Sequence, residues 1–216
     1  MTELLVKAIV SYLLGSIIGS LLIGRLRGGV DIRRLGSGNA GGTNALRTQG
    51  KSFAFWVLVI DIVKGWVATR VLASLLIPGV AVASSGLRIW LPAACGIAVI
   101  AGHIYPLWYG FRGGKGVATL VGVVLGIDAW LLVPMLLTWV VAVVLIGFVG
   151  LASMAAAASL PVYVALDAVE PHLPLLSLGV VATLMIVFTH RTNVARMSAG
   201  TEPRARRLWL LGRRRT

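Results

Sequence analysis

Acidic residues are scarce in this chain, with seven Asp and Glu against 20 Lys and Arg. So few carboxylates argue against a hard-cation cage, which needs several oxygen anions together, and no paired-carboxylate acid/base system is present. Cysteine is nearly absent. Cys95 stands alone in an apolar stretch, which leaves no disulfide framework and reads as a buried structural thiol. No Cys/His spacing suits zinc, so neither a metal nor a cofactor is expected. Charged residues make up only 12% of the chain, against about 25% in a soluble domain. The remainder is apolar: 58% of the 216 residues are hydrophobic and the mean hydropathy is +0.92. These values describe an all-α, polytopic membrane bundle with no room for a separate soluble domain.

The net charge of +13 suggests nucleic acid at first sight. Its placement argues for no nucleic-acid partner. Six, two and eight of the 20 Lys and Arg lie in residues 24–51, 109–116 and 191–216, alternating with apolar spans. That is the pattern of cytoplasmic segments under the positive-inside rule, and it favours membrane lipids and phosphorylated substrates as partners. Glu3 precedes the first apolar run and Arg25, Arg27, Arg33 and Arg34 follow it. This charge order predicts a retained helix with its N-terminus outside, not a signal peptide.

Apolar stretches at 4–23, 52–77, 89–105, 117–127, 130–149, 151–166 and 175–189 predict about seven transmembrane helices, with the C-terminus inside. Residues 117–127 are too short to cross unaided, and if they and a neighbour are re-entrant, five spans serve equally well. Gly15, Ser16, Gly19 and Ser20 form a small-residue face suited to close helix packing. Asp61 and Lys64, three apart within the second span, predict an ion pair that supports the site. His172 reads as a histidine in an exposed external loop.

Three polar clusters are expected on one membrane face. The first, SGNAGGTNALRTQGK, offers Ser37, Asn39, Thr43, Asn44, Arg47 and Lys51 among glycines that include Gly38. The second, GHIYPLWYGFRGGKGVAT over residues 102–119, offers His103, Arg112 and Lys115 with Gly113, Gly114 and Gly116. Glycines around a lysine let bare N–H groups and cations contact one anion together, and a helix beginning near Val117 adds its positive end. The third, HRTNVARMSAGTE, offers His190, Arg191, Asn193, Arg196 and Glu202. This inventory suits a doubly charged phosphate.

The Gly-Lys element is not a Walker loop, because Tyr109 stands where its first Gly belongs and Gly116 follows the lysine in place of Ser or Thr. The HxxxxD signature of acyl-CoA-dependent acyltransferases is also missing: Trp108, Ser177 and Ala195 follow the histidines at that spacing. A transporter for a small phosphorylated anion would also use Gly-rich cationic loops, but no internal repeat accompanies them.

In order and spacing, the three clusters resemble the three motifs of the bacterial acyl-phosphate:glycerol-3-phosphate acyltransferases, the PlsY family, over residues 4–203. The resemblance implies transfer of a fatty acyl group from acyl phosphate to the 1-hydroxyl of glycerol 3-phosphate at the inner face of a bacterial cytoplasmic membrane. Lysophosphatidic acid and phosphate are the implied products. It implies a catalytic set of Ser37, Arg47, His190 and Asn193. Substrate contacts would come from Gly38, Asn39, Thr43, Asn44, His103, Arg112, Gly113, Gly114, Lys115, Gly116 and Ser153, with Asp61, Lys64 and Glu202 in support. A substrate phosphate oxygen, His190 or His103 could serve as the base. Departures are Ala40 in place of the usual Pro, Gly42 in place of Ala, and LIGFVGLAS at 145–153, which lacks the usual basic residue. Residues 204–216 form an Arg-rich tail outside the resemblance, read as membrane-attracted, with Trp209 dipping into the headgroup layer.

Overall fold

The computed structural model describes residues 1–167, 169–205 and 208–210, which form two compact units, Met1–Asp128 and Ala129–Thr216. Among the described residues every regular element is helical.

The first unit opens with α1 (Thr2–Gly15) and α2 (Gly19–Leu26), bent 45° from one another. The expected unbroken span over 4–23 is therefore corrected: Ile18 is extended (φ −93°, ψ 116°) and interrupts the helix. Backbone freed by such a break must find partners inside the protein. Asp61 and Lys64 of α4 (Lys51–Trp66) supply them. Lys64 Nζ donates to the carbonyls of Gly15 (3.0 Å) and Ile17 (2.7 Å) at the end of α1. Asp61 Oδ1 accepts from the N–H of Gly19, 3.2 Å away, at the start of α2. Cation at a helix C-terminus and anion at an N-terminus is the arrangement the peptide dipoles favour.

The small-residue face packs as expected, with Gly15, Ser16, Gly19 and Ser20 all buried. A methyl on Gly102 of α6 (Leu91–Ile104) would strike the carbonyl oxygen of Tyr12, so α1 and α6 meet backbone to backbone. Cys95 of α6 is buried.

After α4 the helix runs on as a π-turn over Val67–Leu72, ending short of the expected 77. Thr69 Oγ1 there donates to the carbonyl of Val123 (3.0 Å) in α7 (Val117–Ile127). The short α7 is thereby held against α4. The unit is completed by the single turn Ile32–Arg34, by α3 (Gly42–Gln49), by the one-turn α5 (Ser85–Arg88) and by the turn Leu107–Tyr109 that follows α6.

In the second unit α8 (Leu132–Ile146) and α10 (His172–Thr189) both pack on α9 (Val149–Asp167), and α11 (Arg191–Ser198) follows. Thr183 Oγ1 donates to the carbonyl of Ala157, 2.9 Å away, inside the alanine run. His172 is the first residue of α10 and half-buried, not an exposed loop residue, and its N–H donates to Glu170 Oε2 (3.0 Å).

A helix leaves its last carbonyls unsatisfied. At α8 the described tail residues cover them: Arg204 Nη1 donates to Ile146 O (3.0 Å), Trp209 Nε1 to Leu145 O (3.2 Å) and Leu210 N to Val144 O (3.1 Å). Arg204 also lies over the rings of Phe148 (4.4 Å) and Trp209 (4.0 Å). Arg204 and Trp209 are thus packed on the end of α8; residues 206, 207 and 211–216 lie outside the described residues.

Among the described residues five helices are long and apolar enough to cross a membrane, or six if α1 and α2 make one bent span. The eleven-residue α7 rises about 16 Å, half of the roughly 30 Å hydrocarbon core.

Candidate active site

The first loop is built around Asn44. Its Oδ1 accepts from Ser37 N (3.0 Å), and its Nδ2 lies on the carbonyls of Ile32 (2.9 Å), Leu35 (3.0 Å) and Asn39 (2.9 Å). Asn44 is buried and its amide is fully engaged, so the expected substrate contact is corrected to an internal one. What the loop presents outward is Ser37, Gly38, Thr43 and Arg47, all exposed, with Asn39 half-buried. Thr43 and Arg47 share one face of α3, four residues apart. Ala40 is buried and its carbonyl accepts from Ser20 Oγ (2.6 Å); Gly42 sits beneath Leu58, leaving no space for a larger residue unless Leu58 moves.

The second loop folds back on the end of α6. Gly113 N donates to Ile104 O and Gly114 N to His103 O, each 3.1 Å away. A methyl on Gly114 would collide with His103 Nε2. His103 is therefore beneath the loop, buried, with Nδ1 2.9 Å from Lys64 Nζ and 3.4 Å from Asp61 Oδ1. Nδ1 thus faces both members of the Asp61–Lys64 pair. The ion pair Asp61–Lys64 (2.9 Å) was expected. That the same pair joins the broken α1–α2 to the floor of the Gly-Lys loop was not. This placement corrects His103 from a substrate contact to a support. Lys115 is half-buried and Arg112 exposed, and Gly116, left-handed at φ 87°, is the N-cap of α7.

Sequence reasoning missed Asp31 and Arg33. Asp31 Oδ1 accepts from the N–H of Arg33 (3.0 Å), and its carboxylate takes Nε (3.0 Å) and Nη2 (2.8 Å) of the same side chain. Hydrogen bonds from Arg33 hold the Asp31 carboxyl below its ordinary range. A signal was present: Asp31 is the single acid among the cations of residues 25–51.

In the second unit the third motif is drawn together by Glu202. Its Oε1 accepts from Asn193 Nδ2 and its Oε2 from Arg196 Nε, both at 2.6 Å. His190 ends α10, and its Nδ1 lies 2.8 Å from Ile186 O. A carbonyl can only accept, so Nδ1 carries the proton and Nε2 is the basic nitrogen of the neutral ring. Gly150 of α9 lies on Asn193: a Cβ there would stand 3.0 Å from Nδ2 and 3.1 Å from Cγ. The glycine at 150 thus has a steric reason. Ser153, one turn further along α9, is buried with Trp139 Nε1 3.4 Å from its Oγ.

The pattern for glycerol-3-phosphate acyltransferases matches residues 5–200. The chain belongs to the glycerol-3-phosphate acyltransferase family. Relatives of that name include one from Thioalkalivibrio sulfidiphilus, 39% identical over 93% of this chain and 94% of the relative, and one from Synechococcus sp., 40% identical over 94% and 96%. Two solved structures also resemble it. Crystal structures of PlsY, an integral membrane glycerol 3-phosphate acyltransferase, in glycerol 3-phosphate and lysophosphatidic acid forms match this acyltransferase with TM-scores of 0.81 and 0.79. Each is 33% identical and covers 93% of this chain and 94% of that one. The acyltransferase is thus an all-helical integral membrane enzyme.

Proposed function

We propose that this acyltransferase takes its acyl group from an acyl phosphate and delivers it to the 1-hydroxyl of glycerol 3-phosphate. The observation that carries the reading is the loop at 112–116, where exposed Arg112, half-buried Lys115 and the glycines lead into the N-terminus of α7. Two kinds of anion contact thus converge: cations and a helix end. Exposed Ser37 and Arg47 of the first loop add a hydroxyl and a guanidinium suited to a second phosphate. The missing HxxxxD spacing supports a donor other than acyl-CoA.

In this reading Gly113–Gly116 and Lys115 receive the phosphate of glycerol 3-phosphate. Ser37 and Arg47, with Gly38, Asn39 and Thr43 nearby, hold the acyl phosphate. His190 and Asn193 orient the hydroxyl and polarise the reacting carbonyl. The hydroxyl oxygen adds to the acyl carbonyl carbon. The bond from that carbon to the phosphate oxygen then breaks, and phosphate leaves with the electron pair. A substrate phosphate oxygen takes the hydroxyl proton, with His190 Nε2 as the side-chain alternative. Ser153 is the hairpin residue offered to substrate, and the donor's activation makes ATP unnecessary. The cationic clusters support a bacterial cytoplasmic membrane with this site on its inner face.

The test is phosphate release by the purified enzyme in lipid, given acyl phosphate with and without glycerol 3-phosphate. Release is expected only with both, and acyl-CoA should not replace the donor. Release without the acceptor, or equal turnover with acyl-CoA, overturns the reading.

A further inference from the structure

The turn that precedes the Gly-Lys loop holds an unfavourable backbone. Gly110 (φ 64°) and Phe111 (φ 57°) are left-handed in succession, and Phe111 is the one such non-glycine residue among those described. An L side chain rarely adopts this conformation unless its surroundings impose it. Phe111 is 54% exposed, so packing around its ring does not impose it. Backbone bonds hold the turn from within, Phe111 N donating to Pro106 O (3.0 Å) and Arg112 N to Tyr109 O (3.4 Å), and from outside Arg33 Nη1 donates to the carbonyls on both sides of the pair, Tyr109 O (3.0 Å) and Arg112 O (2.9 Å). The other edge of the guanidinium is fixed on Asp31 (2.8 Å), and its face lies over the Tyr109 ring, 5.9 Å from the centroid.

We infer that Arg33, braced by Asp31, is a positioning residue of the second loop: it closes the 109–112 turn and so sets where Gly113–Gly116 and Lys115 stand. The first loop thereby controls the geometry of the second. Only a planar fork can grip a carboxylate with one edge and two carbonyls with the other, so lysine is no substitute. The functional part rests on the reading that this loop receives glycerol 3-phosphate.

The experiment uses the full-length enzyme in lipid with Arg33→Lys and, as a milder variant, Asp31→Asn. Acyl phosphate and glycerol 3-phosphate are varied separately, and hydrogen exchange is followed in the peptide covering 107–117. For Arg33→Lys the KM for glycerol 3-phosphate should rise about ten-fold, the order of one lost charge-assisted hydrogen bond. Asp31→Asn should give a smaller rise. The KM for acyl phosphate and kcat should stay within about two-fold, and exchange should quicken in 107–117 but not in α4 or α10. Unchanged exchange in 107–117 overturns the clamp. Quickened exchange with an unchanged KM overturns the placement of glycerol 3-phosphate at this loop. Quickened exchange everywhere with a matching fall in kcat reduces Arg33 to a folding role and overturns the positioning claim.

Discussion

Glu202 fixes Asn193 by accepting a 2.6 Å hydrogen bond from its Nδ2. Because a carboxylate only accepts, that contact decides which end of the amide faces inward, and Asn193 Oδ1 is turned away from Glu202. The second oxygen of Glu202 binds Arg196, and Glu202 N and Thr201 N both return to Arg196 O (3.1 and 2.8 Å), so the carboxylate is braced from two directions.

Glu202→Ala removes the brace and leaves the Asn193 amide able to flip. In the role proposed for Asn193 at the reacting centre, misplacement by about an ångström costs on the order of 10²-fold, and that fall is expected in kcat, with the KM for glycerol 3-phosphate little changed. Arg196→Gln leaves Glu202 on Asn193 and should cost less. Steady-state kinetics of the two variants, side by side with their folded yields, checks the order; equal losses would count against it.

Gly114→Ala places a methyl on His103 Nε2. The imidazole cannot retreat, because its other nitrogen is held by Lys64, so the loop must move outward. Overpacking of this kind costs roughly 1–3 kcal/mol, which predicts a KM for glycerol 3-phosphate raised by about five- to a hundred-fold with a smaller change in kcat. Adding His103→Ala to Gly114→Ala should recover part of that KM. No recovery would place the obstruction elsewhere.

The Asp31–Arg33 contact gives a pH signature. Its bonds to Arg33 hold the Asp31 carboxyl below its unfolded value. The pair therefore stabilises the fold fully above the unfolded pKa of about 4, and loses its contribution as pH falls through the folded value. Asp31→Asn should melt below the wild type by a constant margin between pH 5 and 7, and the margin should close on further acidification. Melting curves in detergent across that range measure it; a margin that widens on acidification has the wrong sign for this pair.

Membrane class and helical architecture were legible because lipid demands long apolar stretches, and the chain shows them at 52–77, 130–149 and 175–189. The break at Ile18 was not legible: residues 4–23 are apolar enough to continue, and the partners that tolerate the break lie far along the chain, Asp61 42 residues from Gly19 and Lys64 49 from Gly15. Likewise Asn44 looks like a ligand in a one-dimensional reading, since any loop amide does. Only the convergence of three carbonyls on its Nδ2 shows it to be internal. The Gly-rich turns themselves were legible, and Ser37 and Arg47 stand exposed on the first and Lys115 half-buried on the second. The pairing of Arg33 with Asp31 left a signal in the sequence, but its grip on the carbonyls of Tyr109 and Arg112 left none, because backbone carbonyls carry no sequence signal.

Removing Lys64 tests the join at the helix break. Lys64→Met strands the Asp61 carboxylate, 1% exposed, and leaves the Gly15 and Ile17 carbonyls without their donor. Breaking a buried pair from one side costs about 3–5 kcal/mol, which in a chain of this size lowers Tm by roughly 10 °C. Where a buried pair interacts only with itself, replacing both members by apolar residues is often harmless. Here both members also serve the backbone, since Asp61 takes Gly19 N and Lys64 takes two carbonyls. Asp61→Leu with Lys64→Met is therefore expected to stay destabilised by several degrees and to weaken glycerol 3-phosphate binding through His103. A double variant that melts with the wild type would show that the α1–α2 break is held by packing alone.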